Sequence, residues 1–202
     1  QLFDLTQDRG QSRNVAGEHP KLAADLVAAA QKHAAEMPRH VAANANRPFT
    51  VGFAKSTTLP ARDGIPHGTI QRSSKAPNNS FFQNWTRETD SITWDIRVDQ
   101  PGEFQAVVHY TCAAENIGAT IRLAVGEGSS AETQVTTAFD PPLYDKSKER
   151  VPKSHYFVKD FKPLSLGELQ LPQGRSVLRL TAPKISGTKA IDVHSINLVR
   201  IR

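Results

Sequence analysis

Residues 91–110 read SITWDIRVDQPGEFQAVVHY, and the fold turns on them. Ile92, Trp94, Ile96 and Val98 alternate with Thr93, Asp95 and Arg97, the period of a strand with one buried face. Gln100, Pro101 and Gly102 supply a turn. Phe104, Ala106, Val108 and Tyr110 then resume the alternation on a second strand. Working outward, Ile121, Leu123 and Val125 mark a third, closed by GEGSS at 126–130. Further strands are expected over 133–137, 156–161, 166–171, 176–181 and 190–201. In the last, the apolar phase slips between Val193 and Ile196, which predicts a bulge. Eight or so short strands with no helix between them predict a mainly β protein, an antiparallel jelly-roll-type β-sandwich over 49–202. Trp94, Phe104 and Tyr110 fall on its core face.

Composition narrows the function classes. The chain has 202 residues, 38% of them hydrophobic and 22% charged, with 13 Pro and 12 Gly. That is globular, neither collagenous nor disordered, and no apolar run approaches the ~20 residues of a membrane helix. Cys112 is the single cysteine, which excludes an internal disulfide and a CxxC zinc site. Its place on the Val108 and Tyr110 face predicts a small buried hydrophobe. The seven histidines never pair at metal-ligand spacing, and no G-x-S-x-G, H-E-x-x-H or phosphate-cradling glycine loop occurs. Taken alone, the chain reads as non-catalytic. A net charge of +5 permits an anionic partner without requiring one. Helix-turn-helix, RRM and finger patterns are absent, so nucleic acid is not the expected partner.

Residues 1–38 differ in kind. Leu2, Phe3 and Leu5 around Asp4 predict a short strand, and Asp8 to Gly10 a turn. Pro20 opens a helix whose apolar stripe is Leu22, Leu26, Ala29, Ala30 and His33, expected to end at Pro38. Residues 39–48 (RHVAANANRP) read as a linker. A strand and one amphipathic helix cannot bury both apolar faces against each other, so this part is expected to be the end of a larger domain, and the chain a fragment.

The motifs LFDL (2–5), DRGQ (8–11), NVA (14–16) and the helix opened by Pro20 together resemble the end of the sulfatase family's C-terminal subdomain. The remainder resembles the accessory, galactose-binding-like β-sandwich behind some bacterial sulfatases of the heparan N-sulfatase or arylsulfatase type. The stretches that carry this likeness are LPARDGIPHG (59–68), ITWDIRV (92–98) and YTCAAENIGATIRLAVG (110–126). The resemblance implies a secreted or periplasmic parent hydrolase with calcium and a formylglycine made from C/S-x-P-x-R. It implies the parent's catalytic domain as a partner. Cys112 is followed by Ala113, Ala114 and Glu115, without the proline or arginine, so no catalytic residue carries over and no metal or cofactor is expected in this part.

Sugar recognition needs aromatic faces with amides, carboxylates and Arg nearby. Trp85 ends the polar run APNNSFFQNW beside Asn84, either as a stacking platform or as a plug of one sandwich end. Tyr144 with Asp145, and His155 with Tyr156, lie on the stretch that follows Pro141 and Pro142. Within it, 145–162 holds Lys146, Lys148, Arg150, Lys153, Lys159 and Lys162 against Asp145, Glu149 and Asp160. Its bland reading is a solvated loop; its functional reading is attraction to a sulfated or carboxylated polysaccharide. The candidate glycan contacts are therefore Trp85, Asn84, Tyr144, Asp145, Arg150, His155 and Tyr156. The alternative is a structural or oligomerisation domain without a ligand.

Overall fold

The structure, a computed structural model, describes residues 1–44, 47–74, 80–144 and 159–202. They divide into two compact units, Gln1–Arg47 and Pro48–Arg202.

In the first unit, turn chemistry replaces the expected strand at Leu2–Phe3–Asp4–Leu5. The Asp4 carboxylate accepts from the Thr6 N–H at 2.9 Å and the Thr6 hydroxyl at 2.5 Å. Asp8 accepts from the Arg13 N–H at 2.8 Å, and the Asn14 side-chain oxygen from the N–H groups of Leu2 and Ala16. Short acidic and amide side chains thus capture backbone donors that a strand would need. The same bonds hold the Asp4 and Asp8 carboxyls below the usual carboxylate range. Helix α1 runs Pro20–Asn44 with Pro38 inside it, so the helix neither stops at Pro38 nor leaves 39–44 as linker. A proline removes one helical hydrogen bond, and the good helix formers Ala34, Ala35, Glu36 and Met37 carry the helix past it. Leu22, Leu26 and Met37 on its apolar stripe are exposed.

The second unit is the two-sheet β-sandwich. Its strands are β1 (Phe49–Val51), β2 (Ser56–Pro60), β3 (Ile65–His67), β4 (Gln71–Arg72), β5 (Phe82–Gln83), β6 (Ser91–Val98) and β7 (Gly102–Thr111). They continue as β8 (Thr120–Val125), β9 (Ser129–Gln134), β10 (Lys162–Leu171), β11 (Gly174–Lys184) and β12 (Asp192–Arg200). Sheet I has the order β1-β6-β11-β8-β9 with β3 beside β6; sheet II has β10-β7-β12-β5-β4 with β2 beside β12. The pairs are antiparallel except β1 with β6. Among the described residues of this unit, the only helical pieces are single 3-10 turns at Ala61–Asp63 and Ala114–Asn116.

The alternating residues meet between the sheets. Ile92, Trp94, Ile96, Leu123 and Leu180 come from one sheet and Phe104, Val108, Tyr110, Leu169 and Ile196 from the other, all buried. Trp94 donates its indole N–H to the Pro60 carbonyl at 3.0 Å. Gly64 lies against that ring, where a Cβ would sit 2.8 Å from Cε2, so only glycine fits without displacement. The register of β12 on β7 shifts between Val193 and Ser195. This bulge lets Val193 and Ile196 both face the core and leaves His194 as the extra residue. The strand expected at 166–171 extends back to Lys162 as β10; of the strand expected at 156–161, residues 159–161 are not in a strand and 156–158 lie outside the described residues. Among the described residues, no helix is long and apolar enough to cross a membrane.

Candidate functional site

On β7, Phe104, Ala106, Val108 and Tyr110 point inward, so His109 and Thr111 belong to the outer face of sheet II. At that end the two described ends of the segment 140–161 are tied down. The Phe139 and Cys112 backbones exchange hydrogen bonds at 2.8 Å, and the Tyr110 hydroxyl donates to the Thr137 carbonyl at 2.9 Å. Lys159 Nζ reaches Asp140 at 3.4 Å and Asp192 at 2.9 Å. Asp192 also accepts from Lys189 at 3.1 Å and from the Thr111 hydroxyl at 3.1 Å. The Lys159 and Asp192 side chains are only 7% and 5% exposed. The ammonium lies 4.9 Å from the centre of the Phe81 ring and 5.8 Å from that of Phe161, which offsets part of its desolvation. Lys189 is held by its backbone: the buried Asn116 side-chain oxygen accepts from the N–H groups of Thr188 and Lys189.

Beside this charge cluster stands a wall of rings. Phe161 meets Phe81 edge-on at 5.4 Å and stacks on His194 at 4.8 Å with 26° between the planes. His194 is the bulge residue, so the phase slip aims an imidazole outward. His109 Nδ1 is 3.3 Å from Ser195 Oγ. Burial pushes both imidazoles below the usual histidine value, and for His194 the positive charge of His109 and Arg62 adds to it. Both rings therefore stay neutral at pH 7. Chemically the arrangement offers half-buried ring faces, neutral nitrogens that donate or accept, and the partly exposed Lys189 ammonium. That is equipment for binding a polar ring.

The expected contacts divide. Trp85 is 1% exposed and belongs to the core, so it is a plug and not a platform. Its backbone carbonyl accepts from the Ala190 N–H, while its buried indole N–H has no hydrogen-bond partner among the described residues. Asn84 is exposed but has a left-handed backbone (φ 61°), and its amide nitrogen is spent on the Thr69 carbonyl at 2.8 Å. It clamps a turn that Thr69 also ties to Asp90 and Thr86. Tyr144 is 53% exposed and donates its hydroxyl to Asp160. Asp145, Arg150, His155 and Tyr156 lie outside the described residues. Asp192, His109, His194 and Phe161 do not stand out as a site in the sequence, where the legible signal is the phase slip at His194; Lys159, read there as part of a basic stretch open to an anionic polymer, is instead buried against Asp192.

Cys112 is buried on the core face with Sγ 3.9 Å from the Ala190 carbonyl, and burial pushes its thiol up. Among the described residues, no group of three or more His, Cys, Asp or Glu is placed to hold a metal ion.

No family model and no curated protein matches the chain. Solved structures do. A GH26-CBM35 β-(1,4)-mannanase from Podospora anserina shares 13% identity over 73% of this chain and 28% of its own, with a TM-score of 0.51. The mosquito-larvicidal Cry4Aa toxin of Bacillus thuringiensis shares 16% over 73% of this chain and 24% of its own, TM-score 0.50. A family 35 carbohydrate-binding module from Clostridium thermocellum shares 14% over 72% of this chain and 98% of its own, TM-score 0.49. The chain thus spans little more than a quarter of the mannanase. At such identities the likeness is one of fold, and a fold shared by a mannanase and a toxin does not choose a function.

Proposed function

We propose that this chain is a non-catalytic, carbohydrate-binding accessory region of a secreted or periplasmic hydrolase of sulfatase type, which keeps the enzyme close to a sulfated polysaccharide. The observation that carries the reading is the ring wall of Phe161 and His194 beside Lys189 and the exposed Tyr144. Ring faces suit the C–H side of a sugar, and neutral imidazoles and an ammonium suit its hydroxyl and sulfate groups. The mannanase that shares the fold carries a CBM35 in its name, which agrees with this reading. The sulfatase parent, with its calcium and formylglycine, rests on the resemblance of sequence motifs alone. The test is retention on a carrageenan affinity gel. Tyr144→Ala, with unchanged melting, and Phe161→Ala, with lower melting from its lost packing on Phe81 and His194, should both elute at least several-fold earlier than the parent chain at a temperature where both are folded; no retention of the parent chain, or unchanged retention of both variants, discards the reading.

A second reading, a structural domain without a ligand, is favoured by the burial of Trp85, the aromatic that the sequence offered as a platform.

A further inference from the structure

Helix α1 carries an exposed apolar stripe. Leu22, Leu26, Ala30, His33, Met37 and Val41 follow one another at steps of 4, 4, 3, 4 and 4 residues. That spacing lies close to the natural helical turn, so the stripe runs nearly straight along the helix. Leu22, Leu26, Met37 and Val41 are 46–62% exposed, and Val27 at their side is 54% exposed. Among the described residues of 1–44 none is buried. A helix in a folded protein takes most of its stability from packing such a face, so the stripe calls for a partner.

The stripe is complementary to itself. Two copies laid antiparallel about the midpoint between Gln31 and Lys32 set Leu22 against Val41, Leu26 against Met37 and Ala30 against His33. Large side chains then meet at both ends of the seam, and in its middle each imidazole faces a small alanine. The charged residues Lys21, Asp25, Lys32, Glu36 and Arg39 fall to one side, at the rim of such a pair.

The ends of the seam match in charge. Beside Leu22 lies a groove of about 710 Å³ lined by Leu2, Phe3 and Val15 and by Asp4, Asp8 and Glu18. Arg13, the arginine of that lining, is bound by Glu18 at 2.7 Å, which leaves Asp4 and Asp8 without a permanent cation in the groove. Their hydrogen bonds hold both carboxyls below the usual carboxylate range. In the antiparallel pair the second copy's chain beyond Val41 runs toward this groove. From Met37 to Pro48 that chain holds Arg39 and Arg47 and no carboxylate. An acidic groove thus meets a cationic end. The seam from Leu22 to Val41 is about 28 Å long between helices about 10 Å wide. It covers less than the ~800 Å² per partner of a standard interface, so the association is reversible and of micromolar strength.

We propose that α1 is a self-association surface, which pairs this chain antiparallel with a second copy of itself. The proposal is independent of the carbohydrate reading and uses none of the ring-wall residues.

Sedimentation of the full chain from about 1 to about 100 μM tests it. Expected is a mass that rises reversibly from that of one chain toward that of two. Leu26→Glu/Met37→Glu should weaken the pair about a hundredfold or more, since it buries charge in the seam. Leu26→Ala/Met37→Ala keeps good helix formers and should weaken it about tenfold or more, so that loss of the helix is not the cause. Ala28→Glu/Ala35→Glu adds the same charge on the exposed opposite face and should change it by less than about twofold. Cross-linking reads the register: Leu26→Cys mixed with Met37→Cys should form disulfide-linked dimers several-fold faster than either variant alone, with the native Cys112 buried and out of reach. A chain that stays single at about 100 μM overturns the proposal and assigns the stripe to the sandwich of the same chain or to a different protein. A dimer that survives both stripe variants overturns it in favour of another surface. Either cysteine variant linking alone as fast as the mixture overturns the antiparallel pairing.

Discussion

Lys159 and Asp192, 33 residues apart in the chain, form an ion pair at 2.9 Å with both side chains nearly inaccessible. The pair joins the returning end of the segment 140–161 to the first residue of β12. Asp140 and Lys189 complete the cluster. A buried charge that loses its partner keeps its desolvation cost, so such a pair matters most when it is broken on one side.

Lys159→Met should therefore destabilise the sandwich by about 3 kcal/mol, toward the lower end for a broken buried pair because Lys189 still faces Asp192. The double variant Lys159→Met/Asp192→Leu should recover part of that loss. Urea unfolding of the three chains checks it; a single variant as stable as the parent would mean the cluster is wetter than its exposure indicates.

Trp85→Ala should cost about 3–5 kcal/mol, as for a large buried aromatic. Tyr144→Phe should stay within about 0.5 kcal/mol, since the lost bond to Asp160 is exposed. Thermal melts separate the two, and they guard the glycan test: any loss of binding in Trp85→Ala is attributable to unfolding.

Acid should weaken the fold through His109 and His194. Both titrate below 6.5 when folded because burial disfavours their charged forms. Between the folded value and 6.5 the unfolded chain binds more protons than the folded one, so stability rises with pH across that window and is full above it. Stability measured from pH 7.5 down to pH 5 should fall, and His109→Gln/His194→Gln should flatten the slope. An equally steep slope in the double variant would assign the acid sensitivity elsewhere.

Gly68→Ala should destabilise by roughly 1–3 kcal/mol. Its φ of +82° disfavours a side chain, and a Cβ would lie 1.8 Å from an Asp90 carboxylate oxygen. The measurement is a chemical melt beside Gly128→Ala, whose Cβ would meet nothing within 4 Å.

Cys112 should resist alkylation in the native state, because it is buried and its thiol is pushed up by burial. Iodoacetamide labelling should appear only with unfolding in urea; rapid native labelling would show that this end of the core opens locally.

Period-two alternation was readable because it is local: Ile92 to Val98 and Phe104 to Tyr110 must show one face to a core whatever packs there. The slip between Val193 and Ile196 was readable for the same reason, since two core residues three apart on a strand require an extra residue between them. Pro38 was misread because a proline biases the backbone by an amount that neighbouring helix formers can overcome. Trp85 sits in a polar stretch, and nothing in its neighbours says that the chain folds it inward.

From the residues alone came the β class, the strands β6, β7, β8, β10, β11 and β12, the core tryptophan Trp94 and the buried cysteine, whereas the short strands β1 to β5 did not show in the pattern. Which side chains stand together was decided by tertiary structure: Lys159 with Asp192, Phe161 with His194, Arg97 opposite Arg175. Strand periodicity is a property of a few consecutive residues, whereas a cross-strand or cross-loop neighbour depends on which strands pair and in what register, and that is fixed only when the two sheets close over their common core.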